Sequence, residues 1–141
     1  MKRLRLLVLL FSVLTVAFTG LGLSSAAADS GRYAKVISIS EDADANRRGT
    51  EVEVSFRYKC DGYDHLKAKV TLDQGRRHFE GEVKDLDCDG RRHTEDVTLT
   101  NSGGKLKNGD ADVTVRLKKR GDTVAKKDGE VEVEGVRRNG H

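Results

Sequence analysis

The chain has 141 residues, 35% of them charged and 36% hydrophobic, with no Pro, no Trp and two Cys, at a formal net charge of +3. That excess comes from Lys2, Arg3 and Arg5; removing them from 26 basic residues leaves 23 against 23 acidic ones. Net charge therefore gives no ground for a nucleic-acid or anionic-membrane partner.

The first element in chain order is a targeting segment. Lys2, Arg3 and Arg5 precede an apolar run from Leu6 to Phe18, and Ala26-Ala27-Ala28 offers a small-residue cleavage site, which predicts a Sec signal peptide over 1–28 cut after Ala28. Thr15, Thr19, Gly20 and Gly22 dilute the run below a membrane span, and no Cys closes it for lipid attachment. The expected product is a secreted, extracellular bacterial protein, one domain over 29–141, soluble and free of the membrane after cleavage.

Period-two alternation governs the remainder. YAKVISIS predicts a first strand with Ile37 and Ile39 inward, and TEVEVSFRYKC a second with Val52, Val54, Phe56, Tyr58 and Cys60 on one face. HLKAKVTLD follows with Leu66, Ala68, Val70 and Leu72 inward, then HFEGEV with Phe79 and Val83, then EDVTL with Val97 and Leu99. ADVTVRLKK (Ala111, Val113, Val115, Leu117) and GEVEVEG (Val131, Val133) complete seven strands. Gly-, Asn- and Asp-rich turns separate them, and no segment carries a helical repeat. The pattern predicts an all-β, antiparallel immunoglobulin-like or fibronectin-III-like sandwich, with a small β-barrel as the alternative.

Two boxes of like form, CDGYDH at 60–65 and CDGRRH at 88–93, raise three chemistries. In an immunoglobulin-type sheet the second and fifth strands are antiparallel neighbours, so Cys60 and Cys88 meet at one end, and an exported chain with two Cys pairs them as a disulfide. A Cys2His2 zinc site with His65 and His93 would require reduced thiols and has no standard spacing. A metal held by the two histidines alone is the weaker variant of the same idea; solvated turn histidines are the plain reading. Asp85, Asp87 and Asp89-Gly90, with Asp96 beyond, match the oxygen-ligand pattern of a calcium loop, although Arg91 and Arg92 place two positive charges in it. That match supplies the alternative function, a calcium- or metal-dependent extracellular module; the leading expectation assigns no cofactor and no metal.

Arg120-Gly121-Asp122 falls in the turn after the sixth strand, a position suited to adhesion but also common by composition. The basic pairs Arg47-Arg48, Arg76-Arg77, Arg91-Arg92, Lys118-Lys119-Arg120, Lys126-Lys127 and Arg137-Arg138 would make a polyanion patch if they clustered. Their dispersal over separate turns predicts solvated loops instead. No nucleophile elbow, zinc-protease motif or phosphate loop is present, so no catalysis is expected. Tyr63 is the clearest exposed aromatic platform.

Tyr58-x-Cys60 at a strand end, the later Cys88 to His93 box and the signal segment together resemble a family of small secreted actinobacterial proteins of unknown function. The resemblance spans most of residues 33 to 136 in strand order and implies a single-disulfide β-sandwich with no known activity. The chain is more heavily charged than that group and lacks the second disulfide and pocket pattern of enediyne-binding apoproteins. The expected protein is thus a monomeric extracellular binding or structural module whose partner is a protein or surface component, with no nucleic acid and no membrane engaged.

Overall fold

The computed structural model describes residues 31–101 and 103–137; the expected signal peptide and its cleavage position lie outside the described residues. Strand β2 (Glu51–Asp61) shows why this chain makes sheets: its residues alternate between buried and exposed along nearly its whole length. Val52, Val54, Phe56, Tyr58 and Cys60 are each at most 1% exposed, and fully burying one such side chain contributes about 1.5–3 kcal/mol. A helix would scatter these residues around its circumference, whereas a strand presents them on one face.

The other strands are β1 (Tyr33–Ala45), β3 (Leu66–Gln74), β4 (Arg77–Leu86), β5 (Asp89–Thr100), β6 (Gly109–Lys119) and β7 (Asp122–Glu134). Two arcs are continuously paired. In the first, β2 lies between β1 and β5, with Val54 opposite Ala43 on one side and Val97 on the other. In the second, the order is β4-β3-β6-β7, with Leu72 opposite both Phe79 and Val113. The inward residues expected on β2, β3, β5, β6 and β7 all lie in the core, and Leu86 and Leu106 join them.

The expected sandwich is not what forms: the sheet closes into a seven-strand barrel, β1-β2-β5-β4-β3-β6-β7, the form given by the small-barrel alternative. Two seams close it. β1 and β7 pair in parallel from Asp42 opposite Glu132 to Asp44 opposite Glu134, and β4 meets β5 at Glu80 opposite Thr100. Gly81 permits the second seam, because a Cβ there would sit 2.5 Å from the Thr98 carbonyl oxygen and 2.8 Å from Leu99 Cδ2. Only a residue without a side chain lets the two backbones come this near. Bulges in β1 help to make the first seam, since extra residues bend and twist a strand away from its partner.

One of those bulges corrects the reading of β1. Pairing jumps from Val36 opposite Tyr58 to Ser38 opposite Arg57, so Ile37 is the inserted residue. Val36 is buried and Ile39 packs on the core from the other side of the insertion, while Ile37 does neither. The interior is filled by apolar side chains and the outer face carries the charges, the reverse of a membrane-spanning barrel.

Candidate functional site

The antiparallel strands place connections at two poles. Cys60 lies one residue before the end of β2 and Cys88 lies in the β4–β5 connection, and the two form a disulfide with S–S 2.02 Å. The two CDG boxes adopt different structures around it. Gly62 and His65 take positive φ in the β2–β3 turn, whereas Asp89 to His93 belong to β5, where Gly90 at φ 77° sits in a bulge opposite Cys60. CDGRR is therefore strand and bulge rather than the turn its composition suggests.

The histidines take separate partners. His65 Nδ1 lies 2.9 Å from Asp85 Oδ1 with both side chains exposed, while His93 Nε2 lies 2.7 Å from Asp89 Oδ1 and its ring stacks on Tyr58 at 5.5 Å between centroids. The hydrogen bond from His93, followed by the Arg91 backbone N–H, holds the Asp89 carboxyl below its ordinary range. The four aspartates of the calcium pattern are likewise divided: Asp96 accepts a hydrogen bond from Ser55 Oγ on the neighbouring strand, and Asp85 and Asp89 face their histidines. Asp85 lies near the end of β4, Asp87 in the β4–β5 connection and Asp89 and Asp96 on β5, whereas a calcium loop must curl to converge its ligands. Among the described residues, no group of three or more His, Cys, Asp or Glu side chains is placed to hold a metal, and the Cys60–Cys88 disulfide leaves neither thiol free for the Cys2His2 zinc reading.

Tyr58 is the buried polar group at this pole. Its hydroxyl is sealed from solvent without a hydrogen-bond partner in good geometry, although the Asp87 backbone lies near enough to act on it electrostatically. Burial, and then the Glu95 carboxylate, push its pKa up to about 12. Arg120 and Gly121 form the two-residue β6–β7 hairpin turn, both with positive φ, and Asp122 begins β7. The tripeptide is exposed at the same pole as the disulfide.

At the other pole the structure brings together what the sequence scatters. Arg47 and Arg48 from the β1–β2 loop, Arg77 at the start of β4, Lys105 and Lys107 from the β5–β6 loop, and Arg137 beyond β7 line one cleft of about 960 Å³. No Asp or Glu lines it, and among the described residues none of the six cations has a carboxylate within 4.0 Å. Three of the basic pairs expected to be solvated loops thus contribute to a cluster. Six positive groups gathered without counter-charges leave 17 basic residues against 23 acidic ones in the rest of the chain beyond 28, a marked separation of charge.

The loops carrying these cations are tied down. Leu106, 1% exposed, plugs the barrel, and its N–H donates to the Gly49 carbonyl at 2.8 Å. Gly49, at φ 69°, leaves no room for a Cβ, which would lie 2.6 Å from the Leu106 oxygen. Two side-chain amides imitate strand pairing. Gln74 Nε2 donates to the Lys107 carbonyl at 2.8 Å while Lys107 N–H donates back to Gln74 Oε1 at 2.9 Å. Asn108 and Val136 exchange the same pair of bonds at 3.1 and 2.9 Å. The Asn46 side chain closes its own loop on Thr50, and Arg137 N–H donates to the Arg47 carbonyl. Such reciprocal bonds leave few orphaned backbone groups and hold the cationic side chains on a fixed frame.

No family model matches the chain, and no curated protein matches it. Among solved structures it is similar to a protein assigned as a beta-galactosidase from Bacteroides fragilis, with 16% identity and a TM-score of 0.44 over 77% of this chain. The chain spans 16% of that protein's length.

Proposed function

We propose that this protein is a secreted, disulfide-stapled binding module, without catalytic activity, that holds an anionic extracellular partner in the cationic cleft. The observation that carries this reading is the convergence of six basic side chains on one cleft lined by no carboxylate. Like charges gathered in this way repel one another, and an anionic ligand relieves that repulsion while gaining charge-assisted hydrogen bonds. The cleft is built by connections at one end of a closed barrel, and loops held on a rigid scaffold commonly carry recognition. Catalysis finds no comparable support. The ion pairs Lys69–Glu80, Lys67–Glu82 and Lys126–Asp128 lie on exposed outer faces, where they serve solubility more than chemistry.

The reading is tested on a sulfonate cation exchanger at neutral pH. The secreted form, formally neutral overall, is expected to be retained, and Arg48→Ser/Arg77→Ser/Lys107→Ser to elute early. Lys118→Ser/Lys119→Ser/Arg120→Ser removes equal charge at the opposite pole and is expected to stay close to wild type. Equal loss of retention in both triple variants would refute a cleft-centred site.

A further inference from the structure

We infer that the ligand of this cleft is a linear chain of consecutive phosphate groups, of the polyphosphate type, an assignment that rests on the anion-binding reading above. Four of the six cations are arginines, whose planar fork matches phosphate oxygens two at a time. Leu106 and Val136 supply the apolar part of the lining, and no aromatic residue contributes to it. Single-stranded nucleic acid is held largely by stacking bases on aromatic rings, so the cleft lacks the platform that ligand uses. The nearest equivalent, Tyr63, lines a different pocket beside Arg32 and Arg120 at the disulfide pole.

Shape and charge exclude broader partners. The cations come from four separate chain segments around a concavity of about 960 Å³, too large for one phosphate to satisfy and better matched by several in succession. Outside the six cleft cations the chain beyond 28 carries 17 basic and 23 acidic residues, so a membrane or wide duplex that extended past the cleft would meet net negative charge. A thin chain whose charges follow one another without intervening rings reaches the cations and little else. Because the loops are already fixed by the Gln74–Lys107 and Asn108–Val136 pairs, little ordering is required when it binds.

Isothermal titration with orthophosphate, tripolyphosphate and long-chain polyphosphate tests this, alongside a sulfated polysaccharide and a single-stranded oligonucleotide. Affinity is expected to rise at each increase in phosphate chain length and to exceed that for the other two polymers. With six contacts at the single-strand coefficient, log K should fall against log salt with a slope of about −4, or roughly 250-fold for a fourfold rise in salt. In Arg48→Ser/Arg77→Ser/Lys107→Ser the slope should halve to about −2, with the melting temperature confirming that the variant is folded. Affinity independent of phosphate chain length, or tighter binding of the polysaccharide or oligonucleotide, would overturn the assignment. If those results came with intact cleft-dependent retention on the exchanger, the phosphate assignment would fall and the anion site would stand.

Discussion

Removing the staple, as Cys60→Ala/Cys88→Ala, measures how much the disulfide pole contributes to the fold. The bridge spans a sequence separation of 28. Constraining a loop of that length removes about 12 cal/mol/K of entropy from the unfolded chain, or about 3.6 kcal/mol at 25 °C. For about 100 ordered residues each kcal/mol shifts the melting temperature by at least about 4 °C, so a fall of about 15 °C is expected. Denaturant titration followed by circular dichroism supplies a second readout. The released chain expands when unfolded, so the m-value should rise as the midpoint falls. Retention on the cation exchanger should survive at temperatures where the variant is folded. β2 separates the poles by roughly 30 Å at the usual strand rise, and no residue of the cleft touches the bridge. A loss below about 1 kcal/mol, with an unchanged m-value, would refute the entropic account. It would mean that neighbouring contacts, such as the Tyr33 hydroxyl to the Gly90 carbonyl, already hold this pole in the unfolded ensemble.

The barrel seam and the acid limb give two further expectations. Gly81→Ala should cost about 1–3 kcal/mol by calorimetry, because the added methyl meets backbone and two core side chains. Gly103→Ala, which meets nothing within 4 Å, serves as the neutral control, and equal melting temperatures for the two would refute the proposed seam. Asp89 has a folded-state pKa below its ordinary 3.8, so its contribution is present above that unfolded value and is lost as pH falls through the lower folded one. Asp89→Asn should therefore flatten the dependence of melting temperature on pH below about pH 4, and superimposable acid limbs would show that the His93 pair adds nothing.

Much of the fold was legible because burial and period coincide. On β2, β3 and β6 apolar residues alternate with charged or polar ones along most of the strand, so strand, face and register follow from one pattern. The pattern fails where the chain departs from it. β5 starts six residues before EDVTL because Asp89-Gly90-Arg91, turn-like in composition, forms a bulge within the ladder. β7 likewise starts at Asp122, where TVAKKD pairs with β6 through its backbone and buries little. Closure was invisible for a related reason. It depends on one backbone approach at Gly81 and on the displaced register after Ile37, and neither leaves a periodic trace.

The cationic cleft was hidden by counting charges along the chain rather than by connection. Where successive strands run in alternating directions, the first, third and fifth connections share one pole with the segment after the last strand, and the second, fourth and sixth share the other. Arg47-Arg48, Arg77, Lys105, Lys107 and Arg137 all fall on or beside the odd set. CDGYDH, Cys88 and Arg120-Gly121-Asp122 fall on the even set. Motifs with familiar chemistry thus drew notice to the pole where histidines and aspartates satisfy one another. The cluster of cations lined by no carboxylate was at the other. Sorting basic residues by the parity of their connection needs only the strand directions, and in this chain it gathers the six cations of the cleft where net charge and run length could not.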